Sequence, residues 1–184
     1  MKFIGICGSL RAASINLSLL KQAAASLPSG VEMEIVQWGH VPPFNAELLV
    51  DGLPDSVTEL REKIRNPDGV VIATPEYNFS IPGMLKNLLD WLSRGDDQPF
   101  AKKPVAILTA SPGPVGGARV QYDLRKVLLF MNSMVLSKPE VFVTSAGPKF
   151  DASGRCVDES TLKFVQDQMR AFAQWSGDVS KLYS

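Results

Sequence analysis

Lys2-Phe3-Ile4-Gly5-Ile6-Cys7 runs directly into Gly8-Ser9-Leu10-Arg11-Ala12-Ala13-Ser14, and a helical pattern follows from Asn16 to Leu27. Six residues that are almost all apolar read as a strand buried on both faces, not as one face of an antiparallel sheet. Gly8 to Ser14 is then a strand-to-helix loop, and Leu17, Leu19, Leu20, Ala23, Ala24 and Leu27 supply the inner face of the first helix. Pro28-Ser29-Gly30 stops that helix.

The same alternation recurs along the chain. Gly69-Val70-Val71-Ile72-Ala73-Thr74 and Pro104–Ala110 are further buried runs, and Val31–Val36 alternates apolar residues with Glu as an edge strand does. A fifth strand is expected within Val135 to Val143, around Glu140–Val143. Between them lie expected helices at Ser56–Arg65, Gly83–Ser93, Ala118–Met131 and Glu159–Trp175. In the third helix Met84, Leu85, Leu88, Leu89 and Leu92 are expected to face the core. Gly39 to Leu53 reads as a loop. Strands alternating with helices predict a doubly wound α/β sandwich: five parallel strands between two helix layers, in the order 2-1-3-4-5. Ligands of such folds sit beyond the carboxyl ends of the strands, at the point where the strand order reverses. The loops after strands one, three and four meet there.

Composition narrows the function. The chain has 184 residues, which predicts one domain spanning 1–184. Lys plus Arg total 19 and Asp plus Glu total 19, so no charge excess recruits nucleic acid or an anionic membrane. Two cysteines, Cys7 and Cys156, cannot make a disulfide framework, and one histidine, His40, cannot make a zinc site or a His-dependent triad with them. Neither a signal-like core nor a membrane span is legible, which predicts a cytoplasmic protein with reduced thiols. Cys7 is expected to be buried and Cys156 to lie near the surface.

The loop after strand one concentrates donors. Ser9, Ser14 and Asn16 are neutral, Arg11 is a planar cation, and the backbone N–H groups of a helix start lie beside them. The glycines Gly5 and Gly8 do not make GxGxxG, and no Lys follows as in GxxxxGK[ST]. The pattern suits one terminal phosphate. The loop after strand three, Thr74-Pro75-Glu76-Tyr77-Asn78-Phe79-Ser80-Ile81-Pro82-Gly83, joins rigid prolines to aromatics and amides. Such a loop can wall a flat heteroaromatic ring and read its polar edge.

Together, Gly8-Ser9-Leu10-Arg11-x-x-Ser14-x-Asn16 and Pro75-Glu76-Tyr77-Asn78-x-Ser80-x-Pro82-Gly83-x-Leu85-Lys86-Asn87-x-x-Asp90-Trp91-x-Ser93-Arg94 resemble the NADPH-dependent FMN reductase family, within it the chromate and quinone reductases. The resemblance extends through Ser111-Pro112-Gly113, Gly116-Gly117 and Lys138-Pro139-Glu140. It implies a flavodoxin-like fold, non-covalent FMN, NADPH or NADH as co-substrate, and a homodimer or homotetramer. It implies that Ser9, Arg11, Ser14 and Asn16, with Leu17, hold the FMN phosphate. Pro75, Glu76, Tyr77, Asn78, Phe79 and Ser80 would carry the isoalloxazine ring, and Ser111 and Gly113 would approach it from the third loop. Phe79 stands where related sequences often have Tyr.

The implied activity is ping-pong hydride transfer from NAD(P)H through FMN to small-molecule acceptors: quinones, with chromate and azo compounds as further acceptors. No metal and no acid, base or nucleophile of the protein is required. Two other readings share the loops: a flavodoxin-type electron carrier without its own NAD(P)H activity, and a phosphosugar or nucleotide binder without redox function. Trp91 and Arg94 fall partly off the core stripe of their helix, which marks that helix and Tyr122–Met131 as a dimer face. Pro42-Pro43-Phe44-Asn45 either tucks against its own chain or covers a neighbour's flavin.

Overall fold

Three apolar runs set the frame. In the computed structural model, which describes residues 1–183, β1 (Lys2–Cys7), β3 (Gly69–Thr74) and β4 (Pro104–Ala110) lie side by side and are buried along almost their entire lengths. All pairs are parallel, with Ile4 opposite Val70 and Ile72 opposite Ile107. β2 (Glu32–Ile35) forms the edge beyond β1, its glutamates pointing to solvent. The order β2-β1-β3-β4-β5 is the one expected from the sequence.

Side-chain alternation divides the core between two helix layers. Ile4, Ile6, Val70, Ile72, Val105 and Ile107 point to one face, where α2 (Asp55–Arg65), α3 (Gly83–Leu92) and α4 (Ala118–Phe130) bring Val57, Ile64, Leu88 and Leu124. Phe3, Val71, Ala73, Ala106 and Leu108 point to the other, under α1 (Ile15–Ala25) and α5 (Glu159–Tyr183). Parallel strands need crossover helices, and a sheet apolar on both faces needs both layers. The architecture is the flavodoxin-like three-layer sandwich.

The fifth strand position differs from expectation. Instead of one strand, two short pieces flank a gap: β5 (Met134–Val135) pairs with Pro104 and Val105, and β6 (Val141–Val143) with Leu108 to Ala110. The intervening chain contains Pro139, which has no N–H for a ladder. The Ile107 carbonyl in the gap instead accepts the Gln168 side-chain amide at 3.1 Å, and the same amide donates to the Pro139 carbonyl at 2.8 Å.

Three other expectations are corrected. α5 runs eight residues past Trp175, because buried Ser176 and Val179 continue its inner face. Cys156 is buried, since its strand bridge to Phe150 folds that segment back on the chain. Met84 is exposed at the first turn of α3, outside the stripe formed by Leu85, Leu88, Leu89 and Leu92.

Trp91 is no interface anchor. It is fully buried, and its Nε1–H donates to the Pro42 carbonyl at 2.8 Å. Asn87 accepts the Phe44 N–H at 2.6 Å and donates to Pro42 at 2.9 Å. The Phe44 ring meets Trp91 edge-on, and the Arg94 guanidinium lies over the Phe44 ring, 5.1 Å from its centroid. The Pro42–Asn45 loop therefore tucks against its own chain. Arg61 of α2 lies inside the fold. It donates to the carbonyls of Leu92, Arg94 and Asp97, closing the carboxyl end of α3.

The rim depends on one close approach. Gly8 donates its N–H to the Ala73 carbonyl at 2.8 Å, and a β-carbon there would overlap the Thr74 hydroxyl and lie 2.9 Å from Leu85 Cδ2. Gly8→Ala is expected to lower unfolding free energy by about 1–3 kcal/mol, the usual cost of forcing atoms into a packed interior. Urea denaturation checks this; an unchanged midpoint would show that the rim yields freely.

Candidate functional site

The site is built where β1, β3 and β4 end. Ser14 stands before α1 in extended backbone, and its Oγ accepts the Leu17 N–H at 3.4 Å. That cap leaves the N–H groups of Ile15 and Asn16 without a protein acceptor among the described residues. The first helical turn thus offers free donors and a partial positive charge. Ser9 is nearly buried and its Oγ accepts the Arg11 N–H at 3.4 Å, which shapes the loop. The Arg11 side chain is exposed and has no ion-pair partner among the described residues. Free N–H groups beside a free guanidinium fit a terminal phosphate.

Asn16 has a different part. Its side chain is buried and bonds the backbone of Ala110 in both directions: Nδ2–H to the carbonyl, and Oδ1 from the N–H, each at 2.9 Å. The amide is spent on the end of β4, so what Asn16 can offer an anion is its backbone N–H. Leu17 is half-buried on α1, with its N–H already capped by Ser14.

Loop two, after β3, is held at three points. Thr74 Oγ1 donates to the Pro75 carbonyl at 3.0 Å. The Glu76 carboxylate reaches across to α4, where it accepts the N–H groups of Arg119 and Val120 at 3.0 and 3.2 Å and pairs with the Arg119 guanidinium at 3.0 Å. It is the cap that Gly117, with no side chain, does not supply. Ser80 Oγ donates to Asp123, also on α4, at 2.7 Å. Tyr77 and Ser80 exchange backbone hydrogen bonds of 3.1 and 2.9 Å around a two-residue turn, Asn78-Phe79, in which both residues have positive φ. Among the described residues the N–H groups of Glu76, Asn78 and Phe79 meet no protein acceptor, so this backbone remains available to the edge of a ring.

Loop three, after β4, is pinned to itself and to the chain that follows β6. Ser111 Oγ accepts the Gly113 N–H at 3.1 Å, and the Ser111 and Gly113 carbonyls accept Ala146 and Ser145 N–H groups.

Loops one and two enclose an open pocket of about 500 Å³, lined by Gly8, Ser9, Leu10, Arg11, Tyr77, Pro82, Gly83 and Met84. Of the residues expected from the sequence, Ser9, Arg11 and Tyr77 meet in it. Ser14, Asn16, Leu17, Pro75, Glu76, Asn78, Phe79, Ser80, Ser111 and Gly113 do not line it. Leu10, Gly83 and Met84 were missed as walls. Exposed Leu10 and Met84, with Tyr77, make a mostly apolar surface beside a single cation. Such a surface fits a flat aromatic ring with an anionic tail, which is the shape of FMN.

The remaining inventory is quiet. Burial pushes the Cys7 and Cys156 thiols up, away from a reactive thiolate. Glu76 is committed to α4 and is not placed as a free base. Among the described residues no three His, Cys, Asp or Glu side chains converge as for a metal, and no helix is long and apolar enough to cross a membrane.

Comparison with known proteins agrees with the shape of the site. A profile of the NADPH-dependent FMN reductase family matches residues 1–148. The chain is 43% identical over 175 residues to an NAD(P)H-dependent FMN reductase of Pseudomonas aeruginosa, covering 95% of each protein. It is 41% identical over 178 residues to a quinone reductase of Escherichia coli, again covering 95% of each. Among solved structures, FerB from Paracoccus denitrificans, a flavoenzyme NAD(P)H:(acceptor) oxidoreductase, superposes with a TM-score of 0.88 at 35% identity, over 96% of this chain and 97% of that one. The chain therefore belongs to the NADPH-dependent FMN reductase family, as an NAD(P)H-dependent oxidoreductase that uses FMN.

Proposed function

We propose that the protein is a quinone reductase whose pocket between loops one and two receives FMN, with the flavin phosphate at the start of α1. The observation that carries this reading is the exposed Arg11 beside the apolar wall of Leu10, Tyr77 and Met84 in one pocket, with the free N–H groups of Ile15 and Asn16 a few residues farther along the same strand-to-helix connection. When bound, FMN supplies hydride acceptance from NAD(P)H and return of the electrons to a quinone, two half-reactions that use one open face in turn.

The residues of this chain bind and orient. Arg11 and the first turn of α1 offset the phosphate charge. Pro75 and Pro82 restrict loop two before binding, so less entropy is lost. The N–H groups of Glu76, Asn78 and Phe79 would be available to the ring's polar edge, and donors fixed in advance stabilise charge without reorganising. Tyr77 and Met84 keep water from the ring. The open, mostly apolar pocket favours flat uncharged acceptors; azo compounds share that shape, and chromate is a further acceptor in this reading. An electron carrier is disfavoured by the balanced charge, which gives no steering toward a protein partner.

Association runs through α4 in this reading. Tyr122, Leu129 and Phe130 are 59%, 77% and 72% exposed on its outer side, an apolar face suited to a homodimer or homotetramer.

Purified protein is expected to be yellow, to bleach on anaerobic NADPH addition, and to regain colour with a quinone; double-reciprocal plots should be parallel, and intersecting lines would refute alternating half-reactions. Arg11→Ala and Ser14→Ala should each weaken FMN binding roughly tenfold, about 1.4 kcal/mol, within the range of a charge-assisted hydrogen bond. Riboflavin, which lacks the phosphate, should bind these variants and the parent equally. Phe130→Glu should shift sedimentation toward the monomer; an unchanged species would move the interface elsewhere.

A further inference from the structure

The turn at the tip of loop two conflicts with its own sequence. Asn78 and Phe79 have φ of 50° and 68°, and the mutual hydrogen bonds of Tyr77 and Ser80 close a two-residue hairpin around them. A turn with both central residues left-handed favours Asn first and Gly second. Asn78 fits. Phe79 does not, because a bulky side chain in that region crowds its own backbone. Its ring is also 69% exposed, so burial does not repay the conformation.

One group does oppose it. The Arg119 guanidinium lies over the Phe79 ring, 4.2 Å from the centroid, and the same guanidinium is fixed by Glu76 at 3.0 Å. Glu76 is in turn held by two backbone N–H groups of α4. The result is a closed clamp: Glu76 at the base of the turn, Arg119 on the helix, Phe79 at the tip. Planarity matters, because one guanidinium stacks on a ring and bonds a carboxylate at once, and an ammonium does this poorly.

We infer that Arg119 is a positioning residue for the flavin. It holds Phe79 in the left-handed turn and thereby keeps the Glu76–Phe79 backbone donors in place before FMN arrives. The inference rests on the flavin placement proposed above. Without the clamp the turn populates other conformations, and apparent affinity falls by the fraction that remains competent.

The test is a rescue. In flavin-free protein, Arg119→Ala should speed hydrogen exchange at the Tyr77 and Ser80 amides, and its FMN dissociation constant, read from flavin fluorescence, should rise about tenfold. Arg119→Lys should fall between. Adding Phe79→Gly to Arg119→Ala should restore both exchange protection and affinity, because glycine takes the turn without a clamp. A direct Arg119–flavin contact would not be rescued in this way, so persistent weak binding with restored protection overturns the positioning role. Unchanged exchange in Arg119→Ala overturns the clamp itself. If the parent protein takes up no FMN, the site reading fails, while the exchange data still decide whether the clamp exists.

Discussion

The parallel pairing of β1, β3 and β4 governs the rest of the molecule. Strands buried on both faces need a helix layer on each side, and parallel strands can be joined only by crossovers. Every loop that leaves a carboxyl end then emerges at one rim. β1 lies between β2 and β3, so the chain turns in opposite directions from it, and the crevice opens there. The pocket between loops one and two is a consequence of connectivity before it is a consequence of any side chain.

Polar side chains convert that crevice into a defined surface. Most of those near the rim bind the protein itself. Asn16 ties α1 to β4, Glu76 and Ser80 tie loop two to α4, and Asn87 and Trp91 tie the Pro42–Asn45 loop to α3. Few charged or amide groups remain for a ligand, and most free donors are backbone N–H groups. Backbone donors cannot change rotamer, which suits a cofactor held without covalent bonds.

The sequence carried the sheet well. β1, β3 and β4 match their apolar runs to the residue, since a strand buried on both sides leaves an unbroken hydrophobic signature. The fifth position was half legible: Val141–Val143 reads as a strand, but the gap at Pro139 is closed by Gln168, a long-range partner that no local pattern announces. Site positions were legible as types and not as roles. Asn16 reads as a ligand because amides bind phosphate, yet only the fold brings Ala110 to it. Trp91 reads as an interface anchor partly off the core stripe, yet it is buried and its indole N–H is taken by Pro42, 49 residues away in sequence. Arg119 carried no signal, since an exposed arginine at a helix start is common and its ring partner lies 40 positions earlier.

Helix α4 bears the anchors of loop two on its first turns and an apolar face farther along. Leu129 and Phe130 lie at one end of that helix and the attachments of Glu76 and Ser80 at the other, so one rigid element joins the exposed apolar surface to the turn beside the pocket.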